Sequence, residues 1–133
     1  MELLQLENII TARLKVRVPR LLNNEYPNIS FTNEISEKNP SFPNVYIHEL
    51  DPSEVGTSLM NQKIRAVRDT IQIDVTSNTN KSDAHKVAIA CTNAMKADSF
   101  TIIMFPTYAK VNNIHRYILL AQRIVANGDN FTN

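Results

Sequence analysis

Glycine is nearly missing from this chain: two occur in 133 residues, Gly56 and Gly128. The dinucleotide fingerprint and the P-loop both need clustered glycines so that backbone can approach phosphate closely, and two isolated ones can write neither. The nucleophile elbow needs glycines too, so the plentiful serines and threonines have no such setting. Cysteine occurs once, at Cys91, which excludes an internal disulfide and a cysteine-pair metal site. That residue falls on the apolar side of a helical pattern, where a thiol reads as a small buried hydrophobe. No apolar run approaches the ~20 residues that span a bilayer. Glu2 and Glu7 stand where a signal peptide would be basic, so the chain is expected to stay in the cytoplasm where it is made, with no membrane partner. Charge of one sign is lacking as well: 14 Lys plus Arg face 13 Asp plus Glu. A charge-driven partner must therefore meet a local patch.

What is abundant is asparagine, at 16 residues. Asparagine tolerates the left-handed region better than other non-glycine residues, so Asn23-Asn24, Asn78, Asn80, Asn112-Asn113 and Asn127 are read as the suppliers of turn geometry. The strongest pattern runs from Asp69 to Met95. Ile71, Ile73 and Val75 share one face of a strand, with Gln72, Asp74 and Thr76 on the other. After a polar turn, Ala84, Val87, Ala88, Cys91 and Met95 recur at helical spacing behind Ser82, a candidate cap. A chain of this length suits a single domain that withdraws roughly two thirds of its unfolded surface from water.

Around that unit the pattern predicts a leading helix from Glu2 to about Asn24. Proline costs a helix interior ~3 kcal/mol, so Pro19 ends it near Val18 or kinks it there. Lys15, Arg17 and Arg20 read as a solvated, dipole-complementing helix end. Ile29, Phe31 and Ile35 suggest a weak strand, and Asn44 to Leu50 a second one opened by Pro43. Residues 51–62 read as an exposed loop or hairpin tip. In the strand that starts near Lys63, Ile64 and Ala66 have one parity and Val67, Ile71, Ile73 and Val75 the other. Either a bulge near Arg68 to Thr70 reconciles them, or the first half projects as an arm. Lys63, Arg65 and Arg68 make it basic, which suits a solvated face, a protein partner or a nucleic-acid backbone. Phe100 to Phe105 is a strand closed by Pro106. Ile114 to Val125 also fits a helix, but its Ile, Tyr and Val content and the short turn before it favour a strand. The resulting fold class is α+β: a mostly antiparallel sheet of about four strands with two helices packed on one face, in one domain over residues 1–126, followed by a frayed tail over 127–133.

Candidate chemistry is sparse. His48, His85 and His115 lack partners at ligand spacing, so no metal site or cofactor is expected; His85 falls in the first helical turn and His115 on an outer strand face. Asp74 and Asp83 flank the strand-helix turn and could serve as a metal-dependent nuclease's carboxylate pair. The plainer reading puts Asp83 at a helix N-terminus and Asp74 on a solvated strand face. No catalytic residue is assigned.

The order of Phe42-Pro43 opening a strand, Ile71-Gln72-Ile73-Asp74-Val75-Thr76-Ser77, the helix from Ser82 to about Ala97, Asp98-Ser99-Phe100 and Arg116-Tyr117 resembles the tail-terminator and tail-completion proteins of long-tailed bacteriophages. The resemblance covers roughly residues 40–125. It departs at Ser99, where such proteins often carry glycine. It implies a non-enzymatic virion protein of the neck, assembled in the host cytoplasm. Such a protein closes into a ring, expected to be a hexamer, on the tail tube and joins the tail to head connector or adaptor proteins. DNA would pass its pore without sequence readout. Lys63, Arg65 and Arg68 are then candidate contacts to a neighbouring subunit or partner ring. Another neck connector, or a small nucleic-acid-binding module, is the alternative.

Overall fold

The computed structural model describes residues 6–33, 41–50, 53–55, 66–110 and 112–126. Its elements are α1 (Leu6–Leu21), β1 (Ser30–Thr32), β2 (Asn44–Glu49), β3 (Ser53–Val55), β4 (Ala66–Ser77), α2 (Lys81–Ala97), β5 (Thr101–Tyr108) and β6 (His115–Ala126). The fold is α+β. Strands run β1-β2-β4-β6-β5 across one sheet, with β3 pairing the start of β4. Only the β1–β2 pair is parallel. Four longer strands make the sheet, and two three-residue strands, β1 and β3, extend it on the side away from β5.

Strand parity decides which side chains face the helices. Val45, Val75 and Tyr117 align across β2, β4 and β6, as do Ile47, Ile73 and Leu119. All six are buried, and they meet Val87, Cys91 and Met95 of α2 and Ile10, Leu14 and Val18 of α1 in one core. Burial of an aliphatic side chain stabilises by roughly 1.5–3 kcal/mol, so this layer is the main source of stability. Tyr46, Gln72, Asp74 and Arg116 take the opposite, outer face.

Several expectations change at the element ends. The cap of α2 is Asn80, whose side-chain oxygen accepts from the Asp83 amide at 2.8 Å; Ser82 lies inside the first turn and is exposed. Both residue types cap helices, and the two stand two positions apart in the chain. Helix α1 runs through Pro19 to Leu21. A proline so close to the end forfeits a single helical bond, and the Leu22 and Asn24 amides close the end on the Val18 and Pro19 carbonyls. No bulge interrupts β4 against β6, because the register is continuous from Ala66↔Ala126 to Ser77↔His115. Nor does the start of β4 project as an arm: residues 66–68 stay within the sheet, paired with β6 on one side and with β3 on the other, Ser53 opposite Arg68 and Val55 opposite Ala66. Pro106 does not close β5, which continues to Tyr108 with two register shifts. As the last strand of the sheet, β5 needs no outward amide there.

Asparagine does supply left-handed backbone: Asn23, Asn24 and Asn112 have φ of 53°, 56° and 50°. Ser99 joins them at 69°. It turns the chain after α2, with the Ser99 amide donating to the Lys96 carbonyl and the Phe100 amide to that of Met95. Serine thus adopts the geometry that glycine would supply. Asn127 lies outside the described residues, as do the 127–133 tail and Ile35.

Candidate assembly surface

Of the three bases that sequence marked as contacts, Lys63 and Arg65 lie outside the described residues. Arg68 is exposed on β4, flanked by Ser53 of β3 and Ile124 of β6. Ile124 is itself half exposed, so this end of the sheet presents a cation beside an apolar side chain.

The remaining candidates are separated. Asp74 sits on the outer face and is nearly buried, accepting from Arg116 at 2.6 Å and Gln72 at 3.0 Å. Asp83 lies on the helix side, where its carboxylate accepts from the Tyr26 hydroxyl and the Thr79 hydroxyl, each at 2.9 Å. The two carboxylates do not meet, and Asp74 is an ion-pair member rather than a solvated strand residue. Burial and then the bond to Asp83 push the Tyr26 hydroxyl up to about 12. His85 stands beside the Tyr117 ring in the second turn of α2, not the first. His115 shares the helix-side parity of Tyr117 and meets the Tyr108 hydroxyl at 2.7 Å, so it is not on the outer face. His48 lies beside Tyr46 with its Nδ1 buried and unbonded. Among the described residues no three His, Cys, Asp or Glu side chains gather as metal ligands. Burial pushes the Cys91 thiol up to about 12, as befits a core residue.

Two polar clusters were not anticipated. At the end of α2, Asp98 has a side chain 4% exposed and accepts from Arg13 at 2.9 Å and Arg17 at 2.7 Å. Arg123 of β6 donates to the Asp98 carbonyl at 3.3 Å. Arg17 is therefore a tie between helices rather than part of a solvated helix end. At the far end of β2, Asp69 is fully buried with neither carboxylate oxygen hydrogen-bonded. Burial, followed by Asp69, pushes the Glu49 carboxyl up to about 8. The Glu7 carboxylate accepts from the Glu49 amide at 2.8 Å and so covers an otherwise free stretch of strand edge. Parity could have revealed this cluster, since Glu49 shares the face of Val45 and Ile47, and Asp69 that of Ile71 and Ile73.

The described acids are thus largely tied inward, while bases are displayed. Glu25 is an exposed acid and pairs with Lys86 at 3.3 Å. Lys15, Arg20, Arg68, Lys81, Lys96 and Lys110 are exposed, and no ion pair among the described residues involves them. Among the described residues, exposed bases therefore outnumber exposed acids. No helix among the described residues is long and apolar enough to cross a membrane. No protein-family model matches the chain, and no curated protein matches it.

Proposed function

We propose that this is a virion structural protein of a long-tailed bacteriophage, one that closes into a ring, expected to hold six copies, on the end of the tail tube and joins it to the head connector. The supporting observation is where the strings behind the resemblance fall in the fold. Ile71–Ser77 is the inner part of the central strand β4, and Asp98-Ser99-Phe100 is the turn that returns α2 to the sheet. Arg116, the second residue of β6, lies beside that strand and pairs with its Asp74. The strings therefore lie on adjoining parts of one sheet and the helix packed on it, which supports the reading. A ring needs heterologous contacts, one surface of a subunit fitting a different surface of the next. The two unlike edges of this sheet and the cation at Arg68 offer such surfaces, and DNA would pass the pore without sequence readout.

The test is polymerisation of tail-tube protein with and without this chain. Tubes capped at one end and halted in length are the expected result. Tubes that grow unaffected and carry no bound protein overturn the reading. Attachment to a connector without any effect on tubes assigns the protein to another ring of the neck.

The displayed bases favour a second reading, a module that holds nucleic acid by its backbone. It predicts DNA binding by the isolated protein that falls steeply with salt. The ring reading requires no affinity for free DNA.

A further inference from the structure

The β5–β6 hairpin contains no acid, because no Asp or Glu occurs between Asp98 and Asp129. Helix α2 and its C-cap supply only Asp83 and Asp98, and both are occupied. Asp83 accepts from the Tyr26 and Thr79 hydroxyls, and Asp98 from Arg13 and Arg17. The lysines of the same region are not tied in this way. Lys81 opens α2, Lys96 lies in its last turn and Lys110 follows β5. All three are exposed, and no ion pair among the described residues involves them.

Two of these ammoniums stand over rings of β5. Lys81 Nζ lies 4.3 Å from the centre of the Tyr108 ring, and Lys96 Nζ 5.3 Å from that of Phe105. Tyr108 is otherwise engaged, with its hydroxyl on His115 and its ring against Tyr117. Phe105 is 59% exposed. A cation beside an exposed ring serves the two halves of a nucleotide, phosphate on the ammonium and base on the ring. An acidic polypeptide would use the cations but not the ring. It would also find a poor template for an added strand, since Pro106 lacks an amide and β5 shifts register twice against β6.

We propose that the border of α2 and β5 holds single-stranded nucleic acid, with phosphates on Lys81, Lys96 and Lys110 and a base stacked on Phe105. A duplex keeps its bases stacked on one another and would leave the ring unused. The inference rests on the nucleic-acid reading and assigns its surface; ring assembly does not enter it.

The experiment follows the anisotropy of a short labelled oligothymidine titrated with the full chain at rising salt. Three phosphate contacts on a single strand should give a log–log salt slope of about −2, roughly a twentyfold loss of affinity for a fourfold rise in salt. The variant Lys81→Gln, Lys96→Gln, Lys110→Gln should bind at least about tenfold more weakly at low salt and lose most of that slope. Phe105→Ala should weaken binding about tenfold with the slope kept, as loss of one stacked base requires. A duplex should bind less tightly and be indifferent to Phe105→Ala. Lys15→Gln with Arg20→Gln, which removes two exposed bases of α1 instead, should leave affinity within about twofold of wild type, because distant exposed charges are screened. Thermal melting establishes that each variant is folded; if the triple variant is not, the Phe105→Ala result decides. No binding even at low salt removes the nucleic-acid reading and the inference together. Binding that survives both the triple variant and Phe105→Ala, or that the α1 variant weakens equally, leaves that reading standing and overturns the surface assignment. Duplex bound as tightly as single strand and unaffected by Phe105→Ala overturns it too. So does poly-glutamate that competes as well as oligothymidine at equal charge, which would mark the border as a dock for an acidic protein.

Discussion

Arg17 Nη1 lies 2.7 Å from Asp98 Oδ1, joining the middle of α1 to the residue that ends α2 across 81 positions of sequence. Arg13 donates to the same oxygen at 2.9 Å. One carboxylate therefore holds two guanidiniums where the helical layer meets the sheet. Removing one partner of a buried pair leaves uncompensated charge, which is costlier than never having built the pair. Asp98→Ala should destabilise the fold by about 3 kcal/mol, measured by urea unfolding, with Asp98→Asn intermediate. Unchanged midpoints would mean that the arginines are equally well held by other groups.

The carboxyl pair at the β2 end sets a pH dependence. Glu49 titrates near 8 in the folded protein against 4.5 as its ordinary value, raised first by burial and then by Asp69. Between those values the folded chain holds a proton that the unfolded chain has released, so the contribution is fully present below about pH 4.5 and is lost as pH rises through about 8. Urea midpoints should fall across that window. Glu49→Gln, which cannot ionise, should flatten the decline, and a slope identical to wild type would contradict the assignment.

Ser99 takes a left-handed φ of 69° that suits glycine. The Cβ clash there costs a non-glycine residue about 1–2 kcal/mol, while glycine gives back part of that through its freer unfolded chain. Ser99→Gly should raise stability by about 0.5–1 kcal/mol in thermal or urea unfolding. A loss of stability would show that the serine side chain contributes more than its backbone costs.

How much of this was legible depended on how local the cause was. The alternation of Ile71, Ile73 and Val75 and the spacing from Ala84 to Met95 located β4 and α2, because each pattern lies within a few residues of its cause. Asn80 displaced Ser82 as the cap because both side chains can do the same work and only the backbone decides. Pro19 and Pro106 were over-read as breaks, since a helix's last turn and a sheet's outer strand both tolerate a missing amide. The Asp98 cluster draws on α1, α2 and β6, and no local pattern could assemble it. Asp69 and Glu49 were within reach, because their parity already faced them inward.

The basic stretch Lys63, Arg65 and Arg68 gives a separate test. Arg68 is exposed at the β3–β4 end, and Lys63 and Arg65 precede it in sequence. Reversing all three charges should prevent assembly on tail tubes, with thermal melting to verify that the variant is folded; the exposed Arg68 should itself contribute little to stability. Normal assembly by the triple variant would remove these residues from the contact.

The central claim is that this subunit works by fitting against copies of itself on a tail tube. Electron-microscope images of purified tubes incubated with the protein address it most directly. The account predicts a closed ring at one end of each tube, with six-fold repeat. Bare tube ends, or protein scattered along the tube wall, would contradict it.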